Sequence, residues 1–415
     1  MKPANPHAPE SRLTRVARAG IATGSLVLLV ALVACGVERD PDSGQDIVAT
    51  PHYHADAPAE VIEGEHGSLA LRLVADGLVR PWSLAFLPDG GMLVTERPGR
   101  LRHISVDGTI SEPLAGVPTV LLQGQSGLLD VAIGPTFSND RLVYLSYGEP
   151  NWRGNKGGTA VARGRLGQRG LEDVEVVFRQ EPKLSHGTHM GSRIVFDDEG
   201  FMFIGTGDNR SAATAQLLDH LQGKVVRLHP DGSVPDDNPF VGHEGARPEI
   251  WSYGHRNIQG MALHPDTRVL WSHEHGPMGG DEINLPRPGR NYGWPLATHG
   301  QDYSGGPVPE AMGTSVEGSE QPLHFWPVSP AVSGMAFYTG DAVPEWRGDL
   351  LVGALAGQAL IRLELDGDRI VLEERLLQGR DRIRDVRVGP DGFVYLLTDS
   401  TDGRLLRLEP ATTSR

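Results

Sequence analysis

Cysteine is almost missing from this chain: Cys35 is the only one among 415 residues. No disulfide can form within it, and a single thiol excludes the Cys-x-x-Cys-His pattern of covalent haem attachment. Apolar runs are short as well. Residues 20–33 form one of about 14 residues, whereas a membrane-crossing helix needs about 20. Positive charge is outnumbered, with 38 Lys and Arg against 53 Asp and Glu and a net charge of −15. Such a surface repels phosphate backbones and anionic headgroups, which argues against a nucleic-acid partner. Sustained 3.6-residue periodicity is lacking in the body of the chain, where residues 211–222 are the best candidate for a helical turn or two. The signatures of commoner chemistries are missing too. There is no G-x-S-x-G elbow, H-E-x-x-H zinc helix, P-loop or G-x-G-x-x-G, and Gly205-Thr206-Gly207 runs into Asp208 instead of a phosphate-binding helix start.

What the chain has is glycine and proline, 53 and 31 of them, with only 22% charged residues. That composition suits many short strands joined by turns. From residue 69 one unit recurs: a strand opening on a small or acidic residue, a Pro-Asp-Gly-like turn, and a second strand of alternating pattern. Copies fall at 83–94, 130–144, 193–204, 260–271, 334–353 and 385–397, spaced by roughly 47 to 74 residues. Six hairpins at that spacing fit the blades of a β-propeller, although hairpins alone leave other repeat folds open. Residues 296–330, rich in Gly, Pro and Glu and without alternation, read as a long loop.

The first 34 residues read as a targeting segment. Arg12, Arg15 and Arg18 form a basic region ahead of the short apolar run, and Leu32-Val33-Ala34-Cys35 has the small residues and terminal Cys of a lipoprotein signal-peptidase site. The alternative is a transmembrane anchor, for which the run is short. The expected organisation is a signal peptide at 1–34, a lipidated Cys35 with a flexible tether to 68, and a propeller domain at 69–412. Lipid on Cys35 would anchor the chain on the periplasmic side of the cell envelope. Gly36 is not an Asp-type retention signal, which favours the outer membrane. His52-Tyr53-His54 is read as part of the tether and not as a metal site.

The densest chemistry lies in Trp271-Ser272-His273-Glu274-His275-Gly276-Pro277 through Asp281-Glu282 to Asn291-Tyr292-Gly293-Trp294-Pro295. Gly276-Pro277 can turn successive carbonyls toward one point, which suits a hard cation, and Glu282 could add a carboxylate. The plain alternative is a polar turn. Two further stretches stand out: His186-Gly187-Thr188-His189-Met190-Gly191-Ser192-Arg193 leading to Asp208-Asn209, and Tyr253-Gly254-His255-Arg256-Asn257.

Together, in this order, these motifs resemble the soluble quinoprotein sugar dehydrogenases, and among them the bacterial aldose sugar dehydrogenases, over nearly all of residues 69–410. The resemblance implies an all-β, six-bladed propeller of four-stranded antiparallel blades that oxidises aldose sugars at C1 to lactones. Its cofactors would be pyrroloquinoline quinone (PQQ) and calcium, one catalytic ion and one structural. His189 matches the family's catalytic base, Asp208 the carboxylate supporting it, and Arg256 the cation at the quinone oxygen, with Asn257 beside it. Gln125, Arg382 and Arg384 match cofactor contacts. Gly276 and Pro277 match the carbonyl ligands of the catalytic calcium, while Glu282 and Tyr292, the latter through its backbone oxygen, match ligands of the structural one. Taken alone, His189 reads as a structural histidine, Arg256 as one half of an inter-blade ion pair, and Arg382 with Arg384 as an exposed strand face.

One departure stands out: where family members often carry a lysine after a Ser/Ala-Leu pair, Ala354-Leu355 is followed here by Ala356. Thr188, at a position acidic in the glucose dehydrogenases, also leaves the sugar preference open. Electrons would pass to a separate acceptor. Two rival readings remain. A calcium propeller lactonase would need converging acidic ligands around a metal-held water, and a non-catalytic sugar- or protein-binding propeller would have lost the cofactor, consistent with Ala356.

Overall fold

The computed structural model describes residues 52–54, 58–185 and 187–411. The signal-peptide and Cys35 readings lie outside the described residues, as does His186. The described residues form six antiparallel sheets whose innermost strands make a closed ring. These inner strands are Pro81–Phe86, Leu128–Ile133, Gly191–Phe196, Ile258–Leu263, Val332–Phe337 and Ile383–Val388. Each opens one of the six sequence repeats, so the molecule is a six-bladed β-propeller, as the sequence indicates.

In five of the six blades the second strand is buried along its whole length, and in the second blade Leu142–Pro150 is half-buried only at its ends. Met92–Glu96, Met202–Thr206, Leu270–Glu274, Leu350–Ala354 and Val394–Thr398 are buried at every position. Their runs of Leu, Val and Ile follow from this, because a mid-blade strand is covered by neighbouring blades on both faces. Outer strands alternate instead, as in Arg369–Leu376. The repeated Pro-Asp-Gly element makes the hairpin between the first two strands. Gly90 sits at φ +88° there, the left-handed region that glycine reaches without a Cβ clash.

Ring closure joins the two ends of the domain. Gly67–Leu78 pairs antiparallel with Gly403–Pro410, so an N-terminal strand completes the last blade. Leu69, Leu406, Leu408 and Leu396 share one buried cluster with Tyr338 and Trp346 of the preceding blade.

Two expectations are corrected. Blades are not uniformly four-stranded: the first has three strands, Pro81–Phe86, Met92–Glu96 and Arg100–Ile104, followed only by an isolated Ile104 to Ile110 bridge. Pro113 and Pro118 lie in the segment that would form its fourth strand, and proline cannot donate to a ladder. The last blade has six strands. His52–Tyr53 and Glu60–Gly64, placed with the tether on sequence grounds, both pair with Gly67–Leu78. That strand is 12 residues long, so its free edge has room for two short partners, which cover main-chain groups that would otherwise be open. His54 Nε2 lies 2.9 Å from Asp76. The long connection at 296–330 is irregular apart from His324–Trp326, the outer strand of the fourth blade.

Near its start, every inner strand breaks register against its partner. The shifts fall between Pro81 and Ser83, Leu128 and Val131, Gly191 and Ile194, Ile258 and Gly260, Val332 and Met335, and Ile383 and Asp385. A bulge re-aims the side chains beside it, and here all six lie at the same mouth of the axis.

A candidate active site at one mouth of the axis

Antiparallel register brings the predicted residues together. Gly191 pairs with Thr206, so two residues beyond the end of that hairpin His189 faces Asp208. Ile258 pairs with Glu274, which brings Arg256 to the His275-Gly276 segment. Ile383 pairs with Thr398, which sets Arg382 against Asp399. The same extension of the fifth blade, past Val332 and Ala354, ends at Ala356, which is exposed.

His189 Nδ1 lies 2.7 Å from Asp208 Oδ1. Its main-chain N–H donates to Gln125 Oε1 at 2.8 Å, and its φ is +49°, a strained value of the kind that clusters at functional sites. Gly207 permits the approach, since a Cβ there would fall 1.8 Å from the His189 carbonyl oxygen. Asp208 also accepts from Arg210 N at 2.8 Å and from Trp294 Nε1 at 2.8 Å. Burial, helped by the nearby Arg256 charge, lowers His189 to a pKa of about 4. Burial pushes the Asp208 carboxyl upward, but His189 and Arg256 outweigh it and hold the group below its usual range. The pair is therefore a neutral imidazole donating from Nδ1 to a carboxylate, with the lone pair on Nε2.

Arg256 donates from Nη1 to the His275 carbonyl at 3.0 Å and from Nη2 toward the Tyr303 hydroxyl at 3.5 Å. Its guanidinium lies 5.2 Å from the Trp294 ring centroid. Asn257 Oδ1 accepts from Gly191 N and from Gln259 Nε2, each at 3.1 Å. Gln259 in turn accepts from Arg384 Nη1 at 3.4 Å, which joins the fourth blade to the sixth across the hub. Arg382 and Arg384 both donate to Asp399 Oδ2, at 3.2 Å from each Nη2. Burial works against the Asp399 charge, yet Arg384, Arg382 and Arg97 hold its pKa at about 2. The two arginines do share one face, as their spacing predicts.

Gly276 and Pro277 are buried beside the hub. Gly276 N donates to Asp281 Oδ1 at 3.0 Å, and among the described residues no hydrogen bond ends on either carbonyl. Glu282 and Tyr292 stand apart from them, around a second group. Glu282 is cross-strand from Glu274 and accepts from Asn284 Nδ2 at 2.9 Å. Burial and the Glu274 carboxylate push its carboxyl well up. The Tyr292 ring stacks on His255 at 4.7 Å, and His255 Nδ1 lies 3.4 Å from Glu274. The Tyr292 hydroxyl is occupied by the Leu285 carbonyl and Arg287 N.

Five residues around the hub escaped sequence reasoning: Trp82, Gln259, Trp294, Tyr303 and Asp399. A signal existed for two of them. Trp82 and Gln259 occupy the repeat position of Arg384, immediately before the small or acidic residue that opens each repeat. Below them an axial ion cluster ties the blades together. Asp130 accepts from Ser83 Oγ at 2.6 Å, Arg193 Nη1 at 2.8 Å and Ile194 N at 2.7 Å. Asp385 accepts from Leu84 N at 3.0 Å and Arg387 Nε at 3.0 Å. A cavity of about 660 Å³ lies away from the site residues, between the later halves of the inner strands.

Fold and site thus define a six-bladed propeller with an imidazole–carboxylate pair, buried arginines and open carbonyls gathered at one mouth of its axis. Residues 78–407 match the Glucose/Sorbosone dehydrogenase family, and the chain belongs to that family. It is 53% identical over 344 residues to the aldose sugar dehydrogenase of Escherichia coli (strain K12), covering 82% of this chain and 92% of that protein. The structure of the soluble aldose sugar dehydrogenase from Escherichia coli in its apo-form is similar at TM-score 0.81 and 52% identity, over 83% of this chain and 100% of that one. The PQQ-bound aldose sugar dehydrogenase from Streptomyces coelicolor is similar at TM-score 0.68 and 29% identity, over 87% and 98% of the two chains.

Proposed function

We propose that this protein is a quinoprotein aldose sugar dehydrogenase that oxidises sugars at C1 to lactones, using PQQ and calcium. The observation that carries the reading is the neutral His189 imidazole, oriented by Asp208 and placed in one hub with Arg256. The names of its relatives support it.

The residues present fit the cofactor. Among the described residues, buried Arg256 Nε, Arg384 Nε and Arg193 Nη2 have no hydrogen-bond partner, a costly state that an anionic, carbonyl-rich ligand would relieve. Arg382, Arg384, Gln125 and Asn257 would hold PQQ. The free carbonyls of Gly276 and Pro277 would hold one calcium ion. Glu282, with the Tyr292 backbone oxygen, would hold a second, where a divalent charge would offset the crowding of Glu274 and Glu282. When bound, PQQ supplies the hydride acceptor and the hub calcium a Lewis acid.

His189 Nε2 takes the proton from the sugar O1 as hydride leaves C1, and the Asp208 carboxylate stabilises the imidazolium that forms. Arg256 presents donors to negative charge that develops in the transition state. With alanine at position 356, Arg382 and Arg384 would be the cations left to balance the cofactor's charge.

A lactonase needs acidic ligands converging on the hub. The one cluster of three carboxylate or imidazole ligands among the described residues, Glu65, His66 and Glu364, lies away from it and is largely exposed. One thiol cannot form a Cys-x-x-Cys-His haem attachment, which supports a separate molecule as electron acceptor. The basic region, short apolar run and Cys35 support a lipid-anchored protein on the periplasmic side of the envelope, the outer membrane being favoured.

The test is reconstitution. Apoprotein given PQQ and calcium should reduce a redox dye with aldoses. His189→Gln should lower turnover by about 10³-fold while leaving PQQ binding intact. Equal turnover by the variant and the parent refutes the base, and failure of the parent to turn over any aldose refutes the function.

A further inference from the structure

A carboxylate that supports a catalytic imidazole does its work only in one orientation. The oxygen facing Nδ1 decides which ring nitrogen keeps the proton, and so which one can act as base. Asp208 Oδ1 is occupied by His189 and Arg210 N. The other oxygen, Oδ2, has one side-chain donor among the described residues, Trp294 Nε1 at 2.8 Å. The indole arrives from the fourth blade, 86 residues along the chain, and is nearly buried at 8% exposure.

The segment bearing that indole is itself fastened. Trp294 N donates to the Gly254 carbonyl at 2.9 Å, and its own carbonyl accepts from Gln216 Nε2 at 2.7 Å. Gln216 also exchanges two hydrogen bonds with Asn291, at 3.0 and 2.9 Å. It ends the 3-10 turn Ala212–Gln216, whose Thr214 and Ala215 carbonyls accept from the buried Lys224 Nζ at 3.1 and 2.9 Å. A chain of hydrogen bonds therefore runs from a buried lysine in the third blade, through a loop of the fourth, to the back of Asp208. The same indole ring lies against the Arg256 guanidinium.

We propose that Trp294 is a positioning residue: its indole N–H holds the Asp208 carboxylate in the plane that keeps the His189 proton on Nδ1 and its Nε2 free to act as base. The proposal rests on the dehydrogenase reading for its catalytic consequence, but its structural core is testable without turnover. Trp294→Phe removes the donor while keeping an aromatic ring at this position. Without the N–H, Asp208 Oδ2 is left buried and unpaired, and rotation of the carboxylate lets the imidazole proton move to Nε2.

The experiment uses apoprotein labelled with ¹⁵N-histidine, with the His189 signal assigned by its loss in His189→Gln. Parent protein should show the neutral ring protonated at Nδ1, and Trp294→Phe should show a mixture with the Nε2-protonated form. In the reconstituted enzyme, kcat should fall about tenfold with the sugar KM unchanged, the size expected for one charge-assisted hydrogen bond. In an Asp208→Asn background, Trp294→Phe should cost nothing further, because the indole acts through that carboxylate. An unchanged tautomer, or an equal loss in both backgrounds, overturns the proposal. Should Trp294→Phe fail to fold, Gln216→Met releases the Trp294 segment without touching the ring. It should mix the tautomers in the same direction, and a fixed Nδ1 proton there overturns the proposal as well. A parent that shows the Nδ1 tautomer but no sugar oxidation would refute the dehydrogenase reading and leave this one standing.

Discussion

Acid should reveal His189 twice, once in rate and once in stability. An imidazole ordinarily titrates near 6.5, and burial with the Arg256 charge nearby brings this one to about 4. The gap of about 2.5 units corresponds to about 3 kcal/mol favouring the neutral ring in the folded state. The sign follows from proton counting. Between pH 6.5 and 4 the unfolded chain binds a proton at this residue and the folded chain does not. Stability is therefore full above 6.5 and declines by up to about 3 kcal/mol as pH falls toward 4, then levels. The rate follows the neutral fraction. At pH 5.5 an ordinary histidine would be only about one-tenth neutral, while His189 stays almost wholly so. Its kcat/KM should hold steady to about pH 5 and drop tenfold per unit only below about 4. Initial rates across this range, with urea unfolding of apoprotein at pH 7 and 4.5 for the parent and for His189→Gln, provide the check. The parent should lose about 2 kcal/mol more than the variant over that interval, most of the full effect. An acid limb near 6.5, or equal losses in the two proteins, would refute the neutral buried base.

Other perturbations probe the hub and its support. Asp130→Ala leaves Arg193 and the Ile194 N–H without a main partner; it should destabilise the fold by about 3–5 kcal/mol in urea unfolding, with Asp130→Asn milder. Gly276→Ala places a Cβ 2.2 Å from the Gly279 carbonyl oxygen. The carbonyl pair must then shift, and the calcium needed to restore activity after chelation should rise at least about tenfold. Arg384→Met removes a buried cation with an unpaired Nε. PQQ affinity measured by fluorescence titration should fall about 10- to 100-fold, with the sugar KM unchanged in the saturated enzyme.

Much of the candidate site was legible because it sits on short-range patterns. His189, Asp208, Arg256 and Arg382 each lie just past the end of a hairpin whose alternation and turn residues are local. Counting outward from a paired strand reaches them without any long-range knowledge. Asp399 and Trp294 were not legible in that way. Asp399 reads as a turn acid after a buried strand, and only the meeting of Arg382 and Arg384 on its Oδ2 makes it the anchor of that corner. Trp294 reads as a loop aromatic until the fourth-blade connection folds back over the third blade. The three-stranded first blade and the added edge strands at 52–53 and 60–64 were missed for a different reason. Strand count depends on which edges remain open after packing, and periodicity carries no record of open edges.

By itself the amino-acid order determined the six hairpins, their turns and the residue types available at one end of each, because alternation and turn chemistry act over a few residues. The tertiary structure alone decided which of those ends meet. Bulges at the start of all six inner strands turn Trp82, Gln259 and Arg384 toward a shared axis. The pairing of Gly67–Leu78 with Gly403–Pro410 then closes the ring that brings the blades around it. Both depend on packing between segments far apart in sequence, an energy that no local pattern encodes.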